Sequence, residues 1–337
     1  MSVLGWSAEQ AWDWYRSQPW LVGCNYIPNT AINQLEMWQA ETFDPETINR
    51  ELGWAADRLG FNTVRVFLHD LLWEDDPAGL LSRVDQFLTI SQKHAIRPLL
   101  VFFDDCWNKD AKLGRQPIPK PGVHNSGWVQ SPGTAIVINP GAWDRLETYV
   151  QSVLKAFGHD PRILGWDLYN EPGNNDLGER SLPLLEAAFA WARAAEPQQP
   201  LTAGTWFDNP VLTEFSLAAS DMLTFHNYNA TDEELRAQIT HLKSLGRPVI
   251  CTEYMARRVT GGSSFRRYLP IFKEEGVGAI NWGLVSGKTQ TIYAWNSLPL
   301  SKGNETEPNP WFHDIFRADG TPFDPAEVEL IHRLTRV

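Results

Sequence analysis

The sequence predicts an α/β protein in which eight parallel strands and the helices between them close into one (β/α)8 barrel. Three observations carry this expectation. Short apolar runs alternate with amphipathic stretches over 337 residues, the pattern of a parallel sheet with helices outside. Eight such runs are present, and eight strand–helix units close a barrel. The doubly wound open sheet is the competitor, and it calls for a Gly-rich phosphate loop after an early strand. The chain reads Gly23-Cys24-Asn25-Tyr26 there.

The strands are expected at 21–25, 63–68, 97–103, 163–169, 201–205, 222–226, 248–252 and 277–282. Asp44-Pro45 opens a helix with an N-cap and a first-position proline, and Gly60 closes it. Ile48, Leu52, Ala55, Ala56 and Leu59 mark its buried face. Asp324-Pro325-Ala326-Glu327 has capping-box spacing and starts a last helix. No repeat, low-complexity tract or Ser/Gly linker interrupts the chain, so 1–337 reads as a single domain. The stretch 106–141 is too long for a simple connection and reads as a loop insertion after strand three.

Composition excludes several function classes. The net charge is −12 with no basic stripe, which argues against nucleic acid as a partner. The pair Arg257-Arg258 reads as a solvated loop. No apolar run is long enough to span a membrane. The three cysteines, Cys24, Cys106 and Cys251, share no C-x-x-C spacing; neither a disulfide framework nor a zinc site is indicated. They read as reduced, mostly buried thiols. The first six residues carry neither a basic region nor an apolar core, so a cytoplasmic location is expected. Sixteen tryptophans exceed ordinary usage, and a share of them is expected to line a cleft as rigid apolar platforms.

The chemistry concentrates at strand ends. The run from Gly165 ends in Asn170-Glu171, where Pro172 stops the ladder. Glu253 follows the run 248–252 in the same way. A carboxylate at the end of a buried strand is costly unless it has a task. Arg65 interrupts the second strand, His226 and Tyr228 end the sixth, and Trp282 ends the eighth. On a barrel all these ends meet at one mouth. Two glutamates so placed are what glycosidic bond cleavage requires. A metal-dependent hydrolase built on His69, Asp70, Glu171 and His226 lacks the H-x-H or H-E-x-x-H spacing. No metal or cofactor is expected.

In Arg65, the triplet Asn170-Glu171-Pro172, His226-Asn227-Tyr228, Glu253 and Trp282, taken in that order, the chain resembles glycoside hydrolase family 5. The resemblance covers nearly the whole barrel and implies a retaining β-glycosidase. It implies Glu171 as acid/base and Glu253 as nucleophile, 82 residues apart, the span of three strand–helix units. It implies further that Arg65 and Tyr228 keep Glu253 ionised and that Asn170 binds the sugar 2-hydroxyl. Trp282 then floors the reacting subsite, and His226 orients its neighbours. Two departures bear on the substrate rather than on the reaction. The family often carries a histidine after strand three, where this chain has Asp104-Asp105-Cys106-Trp107. Glycines often follow the first-strand Gly-x-Asn, where it has Tyr26-Ile27-Pro28.

The substrate class implied is a β-linked, gluco- or manno-configured oligosaccharide, with β-1,4 linkages foremost. Trp107, Trp128, Trp206 and Trp295 fall in loops after strands. The insertion, which includes His124 to Trp128, is expected to close one end of the cleft, with Trp107 or Trp128 as a wall and Asp104 or Asp105 gripping terminal hydroxyls. An exo-acting β-mannosidase or β-glucosidase is therefore expected over an endo-acting cellulase or mannanase. A non-catalytic sugar-binding barrel predicts loss of one carboxylate, and both are present.

Overall fold

The computed structural model describes residues 5–206, 208–257, 263–301 and 306–336. Its centre is a sheet of eight strands: β1 Val22–Asn25, β2 Thr63–Phe67, β3 Arg97–Asp104, β4 Gly165–Asn170, β5 Leu201–Gly204, β6 Leu223–His226, β7 Val249–Glu253 and β8 Gly278–Trp282. The order is β5-β4-β3-β2-β1-β8-β7-β6, and every ladder is parallel. The remaining seam is closed by the bridge between Thr205 and Phe225 and by the Thr202–Thr224 hydroxyl contact at 2.7 Å. This is a (β/α)8 barrel.

All eight strands are buried along nearly their whole length, as strands covered on both faces must be. β4 starts two residues later than the apolar run suggests and reaches Asn170. β7 runs through Glu253, so that carboxylate is the last strand residue rather than the first beyond it.

The barrel interior is divided along its axis. At the bottom, Leu21, Leu99, Leu164, Met222, Ile250 and Ile280 form an apolar plug, capped by Trp14 and Tyr15 of the helix Ala8–Arg16. Burying each such aliphatic stabilises the fold by about 1.5–3 kcal/mol. Above the plug the inward positions turn polar: Arg65 and Asp167 are both fully buried. Gly204 belongs to this layer, because a Cβ there would stand 2.9 Å from Arg65 Nη2 and 3.1 Å from His226 Nε2.

The helix Pro45–Leu59 has its N-cap at Asp44 and ends at Gly60 in the left-handed conformation, with φ +69°, which glycine adopts without strain. In the last helix, Pro325–Thr335, Asp324 accepts from Ala326 N, but the expected capping box is not made. Glu327 instead takes a bidentate hold on Arg257, whose other guanidinium contacts are the carbonyls of Trp311, His313 and Asp314. Arg257 is therefore a buried clamp and not a solvated loop residue; Arg258 lies outside the described residues. The three cysteines are free and buried. No described helix is long and apolar enough to cross a membrane.

β3 ends at Asp104, and the helix of that unit begins only at Asp144. The intervening insertion is fastened by bridges from Asp104 to Ser131 and from Asn108 to Val129. It stands over the C-terminal mouth of the barrel.

Candidate active site

Arg65 organises the mouth. Its Nε and Nη2 pair with Asp167, Nη1 donates to Asn25 Oδ1 and to Glu253 Oε1 at 2.8 Å, and Nη2 donates to Asn170 Oδ1. Burial works against the guanidinium charge, but Asp167 and Glu253 more than restore it. A buried cation survives only with such partners. Asp167 lies inside the run read as apolar; a lone charge amid Gly-Trp-Asp-Leu-Tyr was the signal for it.

The two glutamates sit on either side of a cavity of about 350 Å³. One carboxylate oxygen of each, with a ring nitrogen of His226, lies within 4.8 Å of the others. That is close to the separation of about 5–5.5 Å found where one carboxylate attacks, and well short of the 6.5–9.5 Å that leaves room for an attacking water. The same three side chains are the described cluster best placed to hold a cation. Their hydrogen bonds to Arg65, Tyr228, Asn174 and Cys106 occupy much of that capacity.

Their surroundings differ. Glu253 receives the Arg65 guanidinium on Oε1 and the Tyr228 hydroxyl on Oε2, each at 2.8 Å. Glu171 has neutral partners: His226 Nδ1 at 2.7 Å on Oε1, and Asn174 Nδ2 at 2.7 Å with Cys106 Sγ at 3.2 Å on Oε2. Burial pushes both carboxyls up, and Glu171 adds to the cost of ionising Glu253. Arg65 eases the ionisation of both, and only Glu253 touches its guanidinium directly, an asymmetry that favours the charge on Glu253 and the proton on Glu171. Burial also pushes His226 down to about 4, despite the pull of Glu253, so the ring is neutral near pH 7. Glu171 has a φ of +43°, a left-handed geometry that costs a non-glycine residue about 1 kcal/mol or more and marks functional positions.

Asn170 is held at both ends of its amide. Its Oδ1 accepts from Arg65, while Nδ2 donates to Asp104 Oδ1 at 2.8 Å and, weakly, to Cys106 Sγ at 3.4 Å. The other Asp104 oxygen takes the indole N–H of Trp128. Trp128 in turn meets Trp282 edge-on, with centroids 5.7 Å apart.

The cellulase family, glycosyl hydrolase family 5, matches residues 26–287, more than half of the chain. The chain belongs to glycosyl hydrolase family 5. It is a retaining glycoside hydrolase. Among solved structures, the GH5_18 protein of Streptomyces cattleya in complex with Manβ1-4GlcNAc superposes with a TM-score of 0.62 at 13% identity, covering 95% of this chain and 81% of that one. The exo-β-1,4-mannosidase of Opitutaceae bacterium strain TAV5 gives 0.62 at 19% identity, covering 94% and 60%. The β-mannanase of the blue mussel Mytilus edulis gives 0.58 at 15% identity, covering 82% and 89%. At these identities the likeness is one of fold. No curated protein matches by sequence.

Within this family 5 chain, Arg65, Asn170, Glu171, His226, Tyr228, Glu253 and Trp282 come together at one mouth. Trp107, Trp128, Trp206 and Trp295 also line the cavity. Trp295 meets Tyr228 edge-on at 4.9 Å, and Trp107 lies over His124 at 5.4 Å. Asp105 is a correction. It is buried, it is absent from the cavity wall, and its carboxylate is consumed by Tyr169 Oη, Gly173 N and Ser181 Oγ. Burial pushes it up to about 7. It anchors the segment after Glu171 and grips no sugar; Asp104 is the aspartate at the wall. Sequence reasoning assigned no role to Cys106 or Asn174, because a thiol and an amide in loops give no periodic signal. His313 also reaches the cavity from the C-terminal side.

Proposed function

We propose that this family 5 enzyme removes single sugars from the non-reducing end of short β-1,4-linked, manno- or gluco-configured oligosaccharides. Glu171 serves as acid/base and Glu253 as nucleophile. The observation that carries the assignment is the asymmetry of the pair: a guanidinium on Glu253, only neutral donors on Glu171.

Glu253 attacks the anomeric carbon while Glu171 gives its proton to the departing glycosidic oxygen. The glycosyl ester on Glu253 no longer carries charge, so the barrier to ionising Glu171 drops. Glu171 then takes a proton from water, the hydroxide oxygen attacks the anomeric carbon, and Glu253 leaves as carboxylate with overall retention. The weak Asn170 contact to Cys106 is the one that a sugar 2-hydroxyl displaces at least cost, since Arg65 and Asp104 keep the amide aimed. Trp282 forms the apolar floor.

The exo reading is supported by a small cavity with walls from two loops: His124 and Trp128 on the insertion, Trp295 and His313 on the far side. An endo-acting reading is favoured by a different feature, an open groove that shares Trp107 and Asn175 with the cavity. Digestion of a β-1,4-linked hexasaccharide, with products sized over time, separates the two. Early release of single sugars is expected. A first burst of mid-length fragments, or good activity on polymer, would overturn the exo assignment. The short substrate fits a cytoplasmic enzyme, and fractionation of the native host tests that location.

A further inference from the structure

A groove beside the cavity is lined by basic side chains that the glycosidase reading leaves unused. It has a volume of about 780 Å³, within the range of roughly 300–1,000 Å³ typical of ligand sites. Lys109, Lys112, Arg115 and Lys120 line it, with Asp110 as the single acid. All four cations are exposed, and none forms an ion pair among the described residues. That is against the trend of the chain, which has 41 acidic and 29 basic residues. Elsewhere some exposed cations are paired, as Arg236 is with Glu274 and Lys288 with Glu36, and others such as Lys93 and Lys155 are not; what sets the groove apart is that four unpaired cations line one concavity.

The basic segment is also held in place. Gln39 exchanges two hydrogen bonds with the backbone of Gly114, and Asn33 Nδ2 donates to Gln116 Oε1. At the other end Lys120 N donates to Ser126 Oγ, and its carbonyl accepts from Gln290. With the backbone so held, four like charges within twelve residues repel one another unless an anion joins them. Both residues shared with the cavity, Trp107 and Asn175, stand on the Glu171 side: Asn175 follows Asn174, which holds Glu171 Oε2, and its Nδ2 donates to the Trp107 carbonyl. The acid/base faces the leaving group, so the groove continues the path of the departing chain. Neither glutamate lines the groove itself, and its link to Glu171 runs through Asn175 and Asn174.

We propose that this groove binds an anionic leaving-group portion, so that the preferred substrate is an acidic oligosaccharide carrying carboxylate, sulfate or phosphate beyond the scissile bond. The inference rests on the glycosidase reading of Glu171 and Glu253. Lysine and arginine ammonium and guanidinium groups attract the charge, Trp107 offers a ring face to the sugar that bears it, and the excess negative charge of the rest of the surface steers the acidic chain to this one entry.

The test compares β-1,4-mannobiose with three analogues whose reducing-end sugar is a uronic acid, a 6-sulfate or a 6-phosphate. Cleavage and calorimetric binding are measured for each at low and high ionic strength. At least one acidic analogue is expected to exceed the neutral disaccharide about tenfold in kcat/KM, with most of that margin lost near 0.5 M salt, where screening lengths shrink to a few ångströms. The best analogue identifies the anion. In a variant combining Lys109→Gln, Lys112→Gln, Arg115→Gln and Lys120→Gln, the acidic-to-neutral ratio should fall to about one. Equal cleavage and binding of neutral and acidic chains at every ionic strength would overturn the groove while leaving the glycosidase reading intact. Salt-sensitive binding of the acidic chains with no cleavage of any compound would do the reverse.

Discussion

His226 Nδ1 lies 2.7 Å from Glu171 Oε1, and the Nε2 of the same ring faces Glu253 Oε1 at 3.6 Å. That nitrogen is buried without a hydrogen-bond partner. One neutral imidazole thus stands between the two carboxyls and touches both without adding charge. It keeps them apart on one edge of the cavity, and it leaves Arg65 as the cation that distinguishes Glu253 from Glu171.

So distinguished, the two glutamates fail differently when truncated. Glu253→Ala should lose turnover by several orders of magnitude, and azide should restore it with a glycosyl azide of inverted configuration. Glu171→Ala should slow cleavage most for poor leaving groups, and azide should yield the retained product. Product configuration by NMR decides the matter; near wild-type hydrolysis by either variant would falsify the pairing.

Arg65 makes a prediction about pH. Its charge favours the Glu253 carboxylate, so its removal raises the pH at which Glu253 ionises. In Arg65→Ala the acidic limb of kcat/KM should move to higher pH, with a lower plateau. Arg65→Lys should fall between, because a single ammonium cannot serve Glu253, Asn170 and Asp167 together. An unmoved limb with normal turnover would make Arg65 a packing residue only.

Stability should have its own pH dependence, from a carboxyl outside the site. Glu51 is fully buried against Tyr26 Oη and Asn29 N, and burial pushes it up to about 8. Its unfolded value lies near 4.3, so between those limits the folded state binds a proton that the unfolded chain releases. Stability therefore falls as pH rises from about 5 through 8. Asp105, pushed up to about 7, acts in the same direction. Histidines His124 and His226, held down to about 4, act oppositely below pH 6.5. The net loss is thus expected between pH 6.5 and 8.5, by urea titration, and Glu51→Gln should make that window flatter. Equal slopes in both proteins would mean that Glu51 is ionised in the fold.

Most of the barrel and its mouth were legible because they depend on short-range pattern. Strand runs such as 63–68 and 248–252 show themselves by continuous apolarity, and Arg65 and Glu253 stand out against it. What was not legible depends on partners distant in sequence. Glu327 has perfect capping-box spacing, yet Arg257 offers it a buried charge pair, which outweighs an exposed backbone N–H. Asp105 and Asp104 are adjacent and chemically identical, and only the direction of each carboxylate separates a loop anchor from a cavity wall. Cys106 looked like an ordinary buried thiol until Glu171 was found beside it.

Cys106 yields the last prediction. Its thiol donates to Glu171 Oε2, a contact that favours the ionised carboxyl and so restrains the rise caused by burial. Burial and the neighbouring carboxylates push the thiol itself far up, so it stays protonated and acts only as a donor. Cys106→Ala should release that restraint: Glu171 then ionises at higher pH, and the basic limb of kcat/KM moves up. Cys106→Ser, which keeps a donor in place, should bring the limb back toward wild type. The acidic limb, set at Glu253, should move little in either variant. Turnover that falls with no displacement of the basic limb would show that Cys106 merely fills space between Asn170 and Asn174.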